Sequence, residues 1–125
     1  MSDAERLLVH IQHFENVFYP DQDSKDAAQE TITACKDMVN NDLVRHFLRR
    51  ASLDYTYPDM PMLDLTNFDS NMENSITKYT TPKGELDQES IDGIALARSL
   101  ASNEACRTII YLAFQRLEEE YRGPQ

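Results

Sequence analysis

His10 and His13 stand three residues apart in a segment of helical periodicity, so their imidazoles would leave nearly the same side of one helix. Two such nitrogens can begin a zinc or di-iron site, but a third ligand, usually a carboxylate at matching spacing, must complete it. The chain has no Glu-x-x-His and no His-Glu-x-x-His, and each histidine directly precedes an apolar residue, Ile11 and Phe14. Flank positions of an amphipathic helix therefore account for both. Asp69-x-Asn71-x-Glu73 opens like a calcium loop, yet Asn74 stands where the sharp turn needs glycine and Thr80 where a bidentate glutamate would close the cage. Nucleophilic catalysis finds no Gly-x-Ser-x-Gly elbow, and neither Cys35 nor Cys106 has a histidine in a recognisable relation to it. Glycine occurs only at 84, 93 and 123, so no loop can cradle a phosphate. Carboxylate pairs are unavoidable in so acidic a chain and specify nothing without a pocket to split their pKa values. The expectation is a protein without catalytic residues, cofactor or metal.

Leu48-Arg49-Arg50-Ala51-Ser52-Leu53 resembles the Arg-Arg-x-Ser-hydrophobic consensus of basophilic kinases such as the cyclic-AMP-dependent kinase, which makes Ser52 a candidate phosphorylation site. A phosphate there would add about −1.5 to −2 of charge. The plainer reading is a basic helix C-terminus, with Arg49 and Arg50 complementing the macrodipole.

Charge carries the main functional signal. Residues 54–92 hold nine acidic side chains (Asp54, Asp59, Asp64, Asp69, Glu73, Glu85, Asp87, Glu89, Asp92) against Lys78 and Lys83, in a chain whose net charge is −10. A localised field acts on partners and on association rates, not on the fold. Tyr55, Tyr57, Met60, Met62 and Phe68 are interleaved with the aspartates. Aromatic residues and methionine favour interface cores, while acids tune partner choice. The candidate partner-binding set is accordingly Asp54, Tyr55, Tyr57, Asp59, Met60, Asp64, Phe68, Asp69 and Glu73. The isoelectric point near 4.6 argues against direct contact with nucleic acid or an anionic membrane.

The elements that must position these residues are helical. Ser2 and Glu5 predict a capping box, and Leu7, Ile11, Phe14 and Phe18 one helix face ended by Pro20. Asp23 and Ser24 are N-cap candidates for a helix from about Lys25 to Val39, with Ala28, Ile32, Cys35 and Val39 on its inner face. Asn40-Asn41-Asp42 is a break or a kink, which leaves the continuity of the two helices open, and Asp42 can cap a helix bearing Leu43, Val44, Phe47, Leu48 and Ala51. Pro58 and Pro61 rule out a helix next, so residues from about 53 to 69 are read as a long ordered acidic loop anchored by apolar side chains. Ser70 and Glu73 predict a second capping box, Asp87 a cap with Leu86 and Ile91 as staple, and Cys106, Ile110, Ala113, Leu117 and Tyr121 a final helix. Whether Ser102-Asn103 divides two helices is open at this level.

At 125 residues the chain reads as a single all-α domain, residues 1–125, an irregular bundle of five to six helices. The two cysteines predict buried reduced thiols, with one bridge between them as the alternative. No apolar run is long enough to span a membrane, and Met1-Ser-Asp-Ala-Glu-Arg does not open like a secretion signal, so the expected location is the cytoplasm, or a host's cytoplasm for a phage or virus protein. The function expected is a non-catalytic acidic protein-binding module. An inhibitor or adaptor that occupies a basic surface of a protein partner would fit, with a nucleic-acid mimic of the kind phage use against host defence as one form of it. A structural subunit of a larger assembly, a homodimer included, and a small-ligand sensor with Tyr55, Tyr57 and Phe68 lining its pocket are the alternatives.

Overall fold

The computed structural model describes residues 2–53 and 67–122. The first helix forms as its cap dictates: the Glu5 N–H donates to Ser2 Oγ at 3.2 Å while the Ser2 N–H donates to the Glu5 carboxylate at 3.4 Å. That helix, α1 (Asp3–Phe18), buries Leu7 and Ile11 on the predicted stripe, but the stripe continues into Glu15 and leaves Phe18 exposed. Phe18 lies at the very end of α1, beside a cavity instead of a packed neighbour.

The expected second helix is two helices. Asp21, not Asp23 or Ser24, is the cap: it accepts from the Ser24 N–H at 2.7 Å, and Ser24 Oγ in turn accepts from the Asp21 N–H at 3.3 Å. The resulting helix, α2 (Gln22–Ala27), buries none of its residues. With no packing to hold it in line, it breaks at Ala28 (φ −101°, ψ 15°) before α3 (Gln29–Met38). Ile32, Cys35, Met38 and Val39 turn inward. Asn41 then takes the capping role expected of Asp42, accepting from the Val44 N–H at 3.1 Å and starting α4 (Asp42–Ser52). Asp42 sits in the first turn, paired with Arg45.

The following helix, α5 (Phe68–Thr80), starts before the predicted Ser70/Glu73 box, which does not form. Phe68 and Asp69 are therefore helical and shorten the loop read from the sequence; Leu53 is buried in extended backbone, and residues 54–66, which carry most of that acidic loop, lie outside the described residues. Gly84, at φ +67°, makes the left-handed turn out of α5. Asp87 accepts from the Ser90 N–H at 2.8 Å and opens α6 (Gln88–Ser102), as expected, although Ile91 stays exposed. At Gly93 a β-carbon would sit 3.1 Å from Leu43 Cδ2, so the absent side chain lets α6 approach α4 closely.

Asn103 ends α6 and begins α7 (Glu104–Arg122): its Oδ1 accepts from the Cys106 N–H at 3.1 Å. One side chain thus separates two helices that would otherwise read as one. Asn103→Ala should cost about 1 kcal/mol through the lost cap, seen as a thermal midpoint a few degrees lower; an unchanged midpoint would mean that the cap contributes nothing.

Among the described residues the fold is all-helical, with seven helices where five or six were expected. The centre is the pair α4 and α7. Helices α1 and α3 pack on α7, α5 packs on α4, and α6 closes the seam by touching both. Phe47, Val44 and Leu48 from α4 meet Ile109, Ile110, Ala113, Phe114 and Leu117 from α7 in one continuous core. No helix among the described residues is long and apolar enough to cross a membrane.

Candidate functional site

The acidic residues divide into two groups once their partners are known. On α5, Glu73 receives two hydrogen bonds from Arg98 of α6, from Nε and a terminal nitrogen, each 2.9 Å. That fork geometry is the strongest form of the pair. The Arg98 hydrogen bonds hold the Glu73 carboxyl below its ordinary range and raise the guanidinium. Asp69 lies 3.7 Å from Arg107 of α7. Both carboxylates therefore tie α5 to its neighbours, and much of the field they would offer a partner is already met from within.

The second group stands free of this. Glu85, Asp87, Glu89 and Asp92 are exposed around the start of α6, and none makes an ion pair with another described residue. Asp87 is held as the helix cap, and its hydrogen bonds to Ser90 lower its pKa. Lys83, the nearest cation in the sequence, lies over the Tyr79 ring, 3.6 Å from its centroid, and its charge adds to the lowering of Asp87. Acids here also complement the helix dipole, which is the ordinary reason for them. In their midst Ile91 remains 46% exposed.

Of the residues singled out from the sequence, Asp54, Tyr55, Tyr57, Asp59, Met60 and Asp64 lie outside the described residues. Phe68 is a core side chain, 1% exposed, and offers no ring to a partner or ligand pocket. Ser52 is equally buried: its hydroxyl donates to the Leu48 carbonyl at 2.7 Å, and its own carbonyl accepts from Gln115 Nε2 at 2.6 Å. A kinase cannot reach that hydroxyl without unfolding the end of α4. Arg49 of the same motif pairs with Glu118 at 3.2 Å. His10 lies 2.8 Å from Glu120, and the His13 ring meets Phe14 edge-on at 5.0 Å. No three His, Cys, Asp or Glu side chains among the described residues form a metal-ligand set.

A buried polar cluster was not anticipated. Glu15 is 4% exposed; one carboxylate oxygen lies 3.9 Å from Lys36, and the other has no hydrogen-bond partner among the described residues. Burial pushes its carboxyl up, against the pull of Lys36 and Lys25. The Cys106 thiol donates to the Thr31 carbonyl at 3.8 Å, and the neighbouring Cys106 thiol, together with burial, pushes Cys35 up. Tyr19 completes the group: burial, then the charges of Cys106, Cys35 and Glu15, raise its phenol. Tyr19 also lines a cavity of about 470 Å³ together with Phe18, Asn103, Glu104, Thr108 and Ile109. Of the ligand pocket expected at Tyr55, Tyr57 and Phe68, the tyrosines lie outside the described residues and Phe68 belongs to the core. One signal for Glu15 does exist in the sequence, since it follows Leu7 and Ile11 at intervals of four on the inward register. Cys35 and Cys106 are both free and buried, as the sequence led one to expect.

Searches of protein-family models, curated proteins and solved structures found no match to this chain.

Proposed function

We propose that this chain is a non-catalytic protein-binding module that engages a basic surface on its partner, in the manner of an inhibitor or adaptor. The single observation behind this reading is the set of four exposed acids at Glu85–Asp92, none in an ion pair with another described residue, placed around exposed Ile91. An apolar contact inside an acidic rim suits an interface in which charge sets approach and orientation while Ile91 supplies the desolvated contact. The masking of Glu73 and Asp69 by Arg98 and Arg107 moves the proposed surface from the middle of the acidic stretch toward the start of α6.

A variant carrying Glu85→Gln, Glu89→Gln and Asp92→Asn tests it, with Asp87 kept because it caps the helix. Binding to the partner that copurifies with the wild-type chain should weaken about tenfold, mainly in association rate, while thermal stability stays nearly constant. The wild-type interaction should also fall steeply with salt. Equal binding by the two proteins, or binding indifferent to salt, removes this surface from the mechanism.

A second reading, subunit of a larger assembly, is favoured by a different feature. Val9, Val17 and Phe18 of α1 are 49%, 57% and 45% exposed. Concentration-dependent self-association that Val17→Ser abolishes would support it over the acidic-surface reading.

A further inference from the structure

The cavity of about 470 Å³ lies where the end of α1 meets the first turns of α7, and its size suits a small molecule. Phe18 and Tyr19 line it from the end of α1, and Glu104, Thr108 and Ile109 from α7. Phe18 keeps nearly half of its surface in water although it is wholly apolar. The Tyr19 hydroxyl makes no hydrogen bond to a described residue, its carbonyl being the atom that accepts from Lys25. An uncovered aromatic ring and an unused hydroxyl on one concave wall suit a ligand with both an apolar and a polar part.

Charge decides the class of that ligand. Glu104 is the one charged side chain among the lining residues; it is exposed and forms no ion pair with another described residue. The basic groups close by are engaged elsewhere: Lys25 at the Tyr19 carbonyl, and Arg107 with Asp69 at 3.7 Å. The N-terminus of α7 opposes Glu104 with about half a positive charge. Asn103 takes up part of that, since its Oδ1 accepts from the Cys106 N–H. A full negative charge against half a positive one leaves the wall negative, in a chain of net charge −10. An anion is repelled there. A neutral apolar ligand would strip water from Glu104 and return nothing. A cation offsets that loss, and the electron-rich faces of Phe18 and Tyr19 attract it as well. We propose that this cavity binds a small organic cation, an alkylated ammonium ion whose charge meets Glu104 and the aromatic rings while its alkyl groups rest on Phe18 and Ile109. The site shares no residue with the acidic surface at the start of α6.

The probes are choline and 3,3-dimethylbutan-1-ol, which differ in a quaternary nitrogen replaced by carbon and hence in charge alone. Each is titrated into the isotopically labelled full-length chain at about 0.15 M salt, which screens diffuse attraction to the acidic surface. Amide resonances of Tyr19, Glu104 and Thr108 should shift saturably with choline, with a Kd of about 1 mM or tighter. The neutral alcohol should bind about tenfold more weakly. Glu104→Gln should bring choline down to the level of the alcohol and leave the alcohol unchanged. Phe18→Ala, at a half-exposed position, should weaken both ligands. Equal binding of the two probes overturns the proposal, as does choline that gives no saturable shift by about ten times that Kd. Shifts confined to Glu85, Glu89 and Asp92 overturn it too, because they report attraction to the acidic surface and not to the cavity. The comparison of the two probes on the wild-type chain decides this even if a variant fails to fold.

Discussion

Phe47→Ala is expected to destabilise the protein by about 3–5 kcal/mol. Phe47 is completely buried in α4, at the level where α4 meets α5, and its ring contacts Tyr79 edge to face at 5.6 Å and 86°. The loss has two sources, the apolar surface no longer buried and the void left between helices that are fixed by other contacts. The aromatic pair adds about 0.5–1.5 kcal/mol of its own. For a domain of this size the thermal midpoint should fall on the order of 15 °C. Phe47→Leu keeps most of the volume and should cost less than half as much. Calorimetry or thermal circular dichroism reads both variants. A Phe47→Ala midpoint within two or three degrees of wild type, a small shift by the same scale, would show that α4 is not at the centre of the bundle.

The second large effect has the opposite sign. Glu15→Gln should stabilise the protein at neutral pH by about 1–2 kcal/mol, because a buried carboxylate with an unpartnered oxygen is replaced by a neutral isostere. Lys36, 3.9 Å away and itself partly exposed, offsets only part of the burial cost. The pH dependence carries the more specific claim. The Glu15 pKa is raised by folding from an ordinary value of 4.5, so the folded state prefers the protonated acid. Below that ordinary value both states hold the proton, and the wild type keeps the full benefit. As pH rises through the folded pKa the benefit is lost, while glutamine does not titrate. The gap between variant and wild type should therefore be near zero at about pH 4 and open toward pH 7. Denaturant melts across that range measure it. A gap that is constant, or that widens toward acid, would mean that the carboxylate has partners enough in the folded state.

Local signals explain where the sequence was legible. Ser2 with Glu5 and Asp87 with Ser90 are contacts within one turn, fixed by residues three apart, and both formed where the spacing placed them. The pairs that redirected the reading are long-range. Glu73 looked like the closing member of a cap because a matching serine stood three residues before it, but Arg98, 25 residues away, offered two charge-assisted hydrogen bonds and took it. The same competition separates Asp69 from the expected partner surface. Ser52 met a local consensus that burial withdrew, and Phe68 was correctly an anchor but for that reason not a contact. Periodicity alone could not foresee the break at Ala28, since the apolar stripe runs on while the packing that would straighten α2 is missing. Six of the nine proposed contact residues lie in 54–66, outside the described residues.

The pairing of α1 with α7 has a consequence in time. These two helices make the most extensive contact between elements, with Tyr121 hydrogen-bonded to Asp3 and Glu120 beside His10, yet five other helices come between them in the sequence. On a growing chain α1 emerges long before α7, and Leu7 and Ile11 then lack most of the surface that will cover them. Closing so long a loop is entropically slow, and an apolar stripe waiting in the open is the kind of surface that draws chaperones or other chains. The interior can assemble around α4 as soon as α5 and α6 are made, but α1, made before them, is covered only when α7 follows.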